Sequence, residues 1–174
     1  MKGKESFEKK KLIELLNKCW MTHDGMWFYS CLNECGIVTA NKLNKSAISL
    51  LAPIEVGRMK RYCGLDKERI ETFDEFKEFF SCVTELFVPD FMNAAMSFPG
   101  RDIMRWEFGP EGCFAYKGMN TIGVIKEYDC GVLYRIECWL KNLGIQYRMD
   151  PEIHTCLMLE KGACSGEFVL DLDG

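Results

Sequence analysis

The chain has 174 residues, of which 48% are hydrophobic and 28% charged, and its net charge is −4 at pH 7. This length is typical of one domain and is enough to bury about 70% of the unfolded chain's surface. The negative charge argues against nucleic-acid binding, which normally requires a basic surface. Lysines near the start alternate with glutamates, as on the solvated face of a helix rather than on a membrane-binding patch.

The cysteine content is unusual, because ten of the residues are Cys. The sequence has no secretion signal, and no apolar run approaches the roughly 18 residues of a membrane-spanning helix. We therefore predict a protein of the reducing cytoplasm rather than a disulfide-bonded secreted domain. In that compartment cysteines are mostly small buried apolar groups, and a few are available as ligands or nucleophiles.

The first two predicted helices cover about 12–20 and 25–35. In each, apolar residues recur at intervals of three and four, the spacing of one helix face. Gly36 is the expected end of the second helix, because glycine adopts the left-handed conformation that ends many helices.

Three more helices are predicted before the pattern changes near residue 88. One covers about 38–51 and ends before Pro53, which fits the first position of a fourth helix that ends at Gly64. Thr72 and Glu75 form a capping-box pattern. A phenylalanine-rich helix follows them.

The second half alternates short strands and helices. Runs at 90–98 and 102–109 are split by Pro99-Gly100 and predict a hairpin, whose second strand alternates apolar and charged residues. Helical spacing returns at about 112–126 and 131–143. Two strands, near 152–160 and 166–172, complete a ββααββ unit. The fold class is therefore α+β with an antiparallel sheet: one domain over 1–174, helical in 1–88 and sheet-containing in 89–174.

His23 and Asp24 stand side by side before Gly25. Asp24 is a preferred N-cap residue one place before the predicted second helix, and this interpretation explains Asp24 and the break at Gly25. It does not explain His23. A catalytic His23–Asp24 pair is the competing hypothesis, although a base needs its nucleophile nearby in space, which sequence adjacency does not provide.

The aromatic and methionine content also has two interpretations. Twelve Phe, ten Met and four Trp are typical of a packed core, and they equally suit an apolar pocket with flat aromatic walls. The candidate ligand-binding residues are Trp20, Trp27, Phe28, Trp106 and Tyr116.

The C-terminal region carries an ordered set of motifs. From Cys113 the pattern is C-x16-C-G, then W-L-x-x-L-G, then D-P-E-I-x-x-C, then G-x-C-x-x-E-F. This order resembles a set of prokaryotic proteins related to aminothiazoline-carboxylate hydrolases, and it is similar to the vinyl-reductase-type domain, which is thought to hold hydrocarbon-like molecules. The early stretches WMTHDGMWF and GIVTANKLN resemble the opening of one family in this neighbourhood.

The resemblance implies a fold and a set of ligands. The fold would be similar to the ligand-binding fold of haem-type nitric-oxide sensors and vesicle-tethering subunits, in which helices and an antiparallel sheet enclose an apolar cavity. The cysteines suggested to bind metal in that family would fall on Cys113, Cys130, Cys156 and Cys164. No catalytic motif of the hydrolase branch is matched.

The spacing along the chain separates these four candidate ligands from Cys138. Cys138 lies eight residues from Cys130 on one helix, about 12 Å along the axis, so the two cannot share one zinc ion. His154 and Cys156 are two residues apart on a predicted strand and would share a face. Cys113 and Cys130 begin helices, where the helix dipole favours a thiolate.

Two interpretations of these cysteines therefore stay open. In one they hold a metal ion, with His154 as a substitute ligand, and in the other they are buried, unligated thiols. The site would hold zinc or an iron–sulfur cluster.

A rival ligand set is Cys19, His23, Cys31 and Cys35. The pairs 19/23 and 31/35 have the four-residue spacing that lets two helix residues meet one ion. Packing on core-facing stripes explains the same positions.

Three functions follow from these features. The first is a cytoplasmic small-molecule-binding module with an apolar cavity, an apolar or aromatic ligand and a possible thiolate metal site. The second is a hydrolase or lyase acting on a small cyclic or amide-like substrate, with a thiolate or metal-bound water as nucleophile and His23 or His154 as proton carrier. The third is an assembly subunit. A homodimer is expected as well.

Overall fold

The structure is a computed structural model that describes residues 8–172. Its elements in chain order are α1 (Lys9–Cys63), α2 (Phe73–Phe87), β1 (Ala94–Gly100), β2 (Ile103–Phe108), α3 (Phe114–Thr121), α4 (Gly131–Asn142), β3 (Gln146–Asp150), α5 (Leu157–Lys161) and β4 (Cys164–Asp171). The predicted α+β class is confirmed.

The helix α1 corrects the four predicted segments of its region, because it has only one break, at Gly36, where φ is 76°. Glycine reaches this positive φ without a Cβ clash. Helix continues through Asp24 and Gly25, so the prediction that Asp24 is an N-cap is wrong. It also continues through Pro53, which lacks a hydrogen bond to the carbonyl of Ser49. Ser49 is exposed, so water can solvate that carbonyl.

The start of α2 agrees with the sequence. The Thr72 hydroxyl accepts a hydrogen bond from the Glu75 backbone N–H at 3.3 Å, and the Glu75 carboxylate accepts one from the Glu71 N–H at 3.1 Å. The first contact satisfies an N–H group that the first turn of the helix leaves free, and the second holds the residue before the N-cap against that turn.

A disulfide joins Cys63, the last residue of α1, to Cys82 in α2, with 6.0 Å between their Cα atoms. The pair forms because the turn between the helices returns α2 alongside α1. The expectation that the cysteines are free thiols does not hold for this pair.

The four strands form one antiparallel sheet in the order β1-β2-β4-β3. The predicted hairpin is confirmed, but its turn lies at Arg101-Asp102 and not at Pro99-Gly100, which belong to β1. Met104, Trp106 and Phe108 of β2 are buried, while Arg105 on the opposite face pairs with Glu167 of β4. One face of the sheet therefore carries polar pairs, and the other joins the core.

The last part of the chain differs from the prediction. The third strand lies at Gln146–Asp150, before a cis peptide bond to Pro151, and the predicted strand at 152–160 does not form. Residues 157–161 instead form the short helix α5. A proline at the third strand's end ends its pairing because it has no N–H for the ladder.

Two apolar clusters organise the interior. The larger joins the second half of α1, α2, α4 and the sheet. The smaller joins Phe28 and Ala40 of α1 to Met119, Ile125 and Tyr128. Among residues 8–172, no helix is both long and apolar enough to cross a membrane.

Candidate ligand cavity and thiol cluster

A cavity of about 230 Å³, partly open to solvent, lies between the two apolar clusters and is lined by α1, α2, the first two strands, α3 and α4. Its wall is mostly apolar. The buried side chains on it are Phe28, Ile48, Phe80, Val83, Phe108, Met119, Tyr128, Ile136 and Trp139. Such a space, lined by aromatic and methionine side chains with few polar groups, is typical of small-molecule sites.

One charged group on the wall is held in a fixed position. The Arg135 guanidinium donates from Nε and Nη2 to the Glu55 carboxylate at 3.0 and 2.8 Å, and the Trp139 indole N–H donates to the same carboxylate at 2.8 Å. The Trp20 ring lies 4.4 Å from the guanidinium carbon. The side chains of Arg135 and Glu55 are 18% and 6% exposed, so water screens this pair little.

The five aromatic residues predicted to bind ligand lie in different places. Trp20 and Phe28 line the cavity. Tyr116 lines a second, smaller cavity. Trp27 is 65% exposed on α1, and Trp106 is fully buried in the core, so neither reaches the larger cavity. Trp106 packs on Phe168 with 4.9 Å between ring centroids.

Asp24 and His23 point in different directions. Met21, Asp24 and Phe28 are spaced by three and four residues, share a face of α1 and line the cavity. The neighbouring His23 is exposed and lines neither cavity. Because α1 is continuous here, Asp24 contributes a carboxylate to the cavity wall and not a helix cap.

Four cysteines meet at the second cavity, which measures about 20 Å³. It is lined by Cys113, Cys130, Cys156 and Cys164 together with Tyr116, Tyr128 and apolar side chains. Cys113, Cys130 and Cys156 precede the first residues of α3, α4 and α5, and Cys164 begins β4. Four elements thus bring together the four cysteines that the sequence motifs singled out.

The cluster favours neutral thiols, contrary to the expectation from the helix dipole. Burial raises the pKa of Cys113, raises that of Cys130 to about 11 and raises that of Cys164 to about 12. The neighbouring thiols raise each of these pKa values further. Loss of water around a thiolate outweighs the field of a helix terminus at these positions.

Several N–H groups nevertheless face the sulfur atoms. The Tyr116 backbone N–H donates to Cys113 Sγ at 3.4 Å, and backbone N–H groups of Val132 and Leu133 lower the pKa of Cys130. The Trp106 indole N–H is buried without a hydrogen-bond partner among the described residues, and its nearness lowers the pKa of Cys164.

The predicted metal ligands do not form a ready-made site. Between residues 8 and 172, no group of three or more His, Cys, Asp or Glu side chains is arranged to hold a metal ion as it stands. His154 is exposed beside Glu152, with 3.6 Å between Nε2 and Oε2, and it lines neither cavity. Because no strand forms at 152–160, His154 and Cys156 do not share a strand face as predicted. Cys138 is buried away from the cluster.

The rival set on α1 stays apart. Cys19 and Cys35 are exposed, and Cys31 is half-buried. The twelve residues from Cys19 to Cys31 span about 18 Å along the helix axis, so the 19/23 and 31/35 pairs cannot meet one ion.

Sequence reasoning did not find Arg135 and Glu55. The sequences of α1 and α4 each place one of these charged residues beside buried apolar residues. Glu55 interrupts the buried stripe of Ala52, Val56 and Met59, and Arg135 stands next to Ile136 in α4. A carboxylate in a buried stripe requires a partner, but which cation supplies it depends on how α1 and α4 pack.

Residues 4–82 match the model of a family described as "Family of unknown function (DUF6125)". Its match is to α1 and the first part of α2. No curated protein and no solved structure matches the chain. The likeness therefore covers the helical half, names no reaction or ligand, and leaves the resemblance to hydrolase-related and vinyl-reductase-type proteins a prediction.

Proposed function

We propose that the protein is a cytoplasmic module that binds one small apolar or aromatic molecule in the larger cavity. The observation that carries this proposal is the cavity itself, about 230 Å³ with a mostly apolar wall. A cavity of about 150 Å³ with such a wall accepts benzene. In proportion to volume, the cavity here suits a ligand with an apolar part of about nine non-hydrogen atoms.

Binding and stability are expected to be coupled. A ligand that fills the space makes contacts with the apolar wall that an unoccupied cavity lacks. Because the ligand binds the folded chain, it raises the free energy of unfolding.

Filling the cavity with protein atoms is expected to remove ligand binding and keep the fold. Gly118 lies on the cavity wall, and a Cβ at this position meets no atom within 4 Å. In Gly118→Leu, the heat of binding of 3-phenylpropan-1-ol by calorimetry should disappear, while Tm is equal or higher because leucine favours helix by about 0.8 kcal/mol over glycine.

Asn120→Leu is the matched control, since Asn120 is exposed on the same helix and lies outside the cavity wall. It should bind the alcohol as the wild type does. Undiminished binding to Gly118→Leu would place the ligand elsewhere and remove the proposal.

The thiol cluster supports a second proposal, a structural metal site. Thiolates are the ligands that zinc and iron–sulfur clusters prefer, and the N–H groups near Cys113, Cys130 and Cys164 are donors of the kind that support bound thiolates. Cys113, Cys130, Cys156 and Cys164 would hold the metal after their side chains turn toward a common point. The bound ion would supply the positive charge that keeps buried thiols ionised.

Metal content tests this site directly. Protein purified without oxygen should carry zinc or iron by elemental analysis, and an iron–sulfur cluster would add visible absorption. Cys130→Ala and Cys164→Ala should each lose most of the metal, whereas Cys138→Ala should keep it because that buried thiol lies outside the cluster. Less than about a tenth of an ion per wild-type chain would contradict the site.

An enzyme remains the alternative use of the same cavity. Cys113 borders both cavities, but neither histidine lines either of them, so no imidazole base faces this thiol. Turnover of a small cyclic or amide-like compound that is lost when Cys113 is blocked would favour a hydrolase or lyase over a binding module.

The proposed homodimer has a candidate surface on α1. Eleven of the thirteen exposed large hydrophobic side chains within residues 8–172 belong to this helix. Leu43, Leu50 and Ile54 recur at seven and four residues, the spacing of a helix-pairing seam, and they face away from the core. A second copy would cover the same row on both chains.

Charge placed in this row should separate the copies. In sedimentation experiments, Leu50→Lys should be monomeric at concentrations at which the wild type is dimeric. Ser49→Lys adds the same charge at the adjacent exposed position, off the row, and should remain dimeric. A monomeric wild type would contradict the assembly.

A further inference from the structure

The cavity wall carries a guanidinium whose hydrogen-bonding capacity is only partly used. Arginine has five N–H donors. Glu55 accepts from Nε and once from Nη2 of Arg135, so three donors, including both on Nη1, find no acceptor within residues 8–172. Arg135 is nonetheless largely removed from water and borders the cavity.

The surroundings fix this group in place before any ligand arrives. Glu55 grips one edge of the guanidinium, and the Trp20 ring covers one face at 4.4 Å. The Trp139 indole N–H donates to Glu55 Oε2 and so holds the carboxylate that binds the guanidinium. Little side-chain entropy is lost when such a pre-positioned arginine binds an acceptor, and its planar fork suits a carboxylate.

We propose that the ligand is an apolar monocarboxylate whose carboxylate accepts hydrogen bonds from the unused N–H groups of Arg135, with its apolar body in the cavity. This inference rests on the proposed binding function and names the ligand class. The other charged side chain on the wall, Asp24, is exposed, so water screens its repulsion of an anion. Arg135 is held in a drier place, where its attraction is stronger.

Three probes with the same body test the proposal: 3-phenylpropionate, 3-phenylpropan-1-ol and 3-phenylpropylamine. Calorimetry on the full chain at pH 7 should give the carboxylate at least about tenfold tighter binding than the alcohol, as a charge-assisted hydrogen-bonded pair provides. In the double variant Glu55→Gln/Arg135→Gln, which keeps hydrogen-bonding groups without buried charge, this preference for the carboxylate over the alcohol should vanish, with circular dichroism showing a folded chain.

A conservative variant separates the loss of the planar fork from a loss of the fold. Arg135→Lys keeps the charge but loses the planar fork and should reduce the preference for the carboxylate only in part. Equal affinity for the carboxylate and the alcohol, or tighter binding of the amine through Asp24, would overturn the inference and leave the binding function intact. Failure of all three probes to bind, with circular dichroism showing a folded chain, would overturn the binding function together with it.

Discussion

Replacement of Glu55 by Ala is expected to lower the free energy of unfolding by about 3–5 kcal/mol, the usual result when one partner of a buried ion pair is removed. Glu55 accepts two hydrogen bonds from Arg135 and one from Trp139, and its side chain is only 6% exposed. Its loss leaves the guanidinium charge and the indole N–H without their acceptor in a largely dry place. Urea unfolding followed by tryptophan fluorescence measures the effect.

Two further variants separate the charge from the hydrogen bonds. Glu55→Gln retains one acceptor oxygen and should cost less than Glu55→Ala. The double replacement Glu55→Leu/Arg135→Met removes both charges and should restore most of the stability, because apolar pairs of similar volume often replace buried ion pairs without loss. A loss below about 1 kcal/mol in Glu55→Ala would mean that water reaches the pair freely.

The hairpin of β1 and β2 was the more predictable part of this fold. Alternation over 102–109 gave the buried face of β2 correctly, because a strand buries every second side chain whatever lies against it. Gly36 was also recognised, since a positive φ is an intrinsic preference of glycine. These signals are local, so the sequence alone carries them.

The long helix was less predictable because packing outweighed local signals. Gly25 and Pro53 each disfavour a helix interior, by about 1 and 3 kcal/mol respectively. Burial of Phe28 on one side and of Ala52, Val56 and Met59 on the other keeps the helix continuous through both residues. The helix propensity of a single residue predicts little where the buried face of the helix continues on both sides of that residue.

The candidate sites depend on contacts between distant segments. The motif order singled out the four cysteines, and the fold places them around one small cavity. Their spacing could not show how deeply the thiols are buried. Glu55 and Arg135 are 80 residues apart, and only the packing of α1 on α4 brings them together. Sequence reasoning could find each residue as unusual but could not pair them.

Alkaline pH is expected to destabilise the metal-free protein through the thiol cluster. Burial raises the pKa of Cys130 from its ordinary value of 9.0 to about 11. Between these two values the unfolded chain releases the proton and the folded chain keeps it. The stability from this thiol is therefore complete below pH 9.0 and is lost as the pH rises toward about 11. The slope is about 1.4 kcal/mol per pH unit for one thiol.

Ionisation of Cys113 and Cys164 also lowers the stability at alkaline pH, because burial raises the pKa of each thiol. Urea unfolding from pH 8 to 11, in oxygen-free buffer without added thiol, should show the decline. Cys130→Ala should make the slope shallower by about one thiol's share, 1.4 kcal/mol per unit. Cys35→Ala removes an exposed thiol on α1 and should keep the wild-type slope. A free energy that does not change over this range would contradict the raised pKa values of the clustered thiols, because only a pKa difference between the folded and unfolded chain makes stability depend on pH.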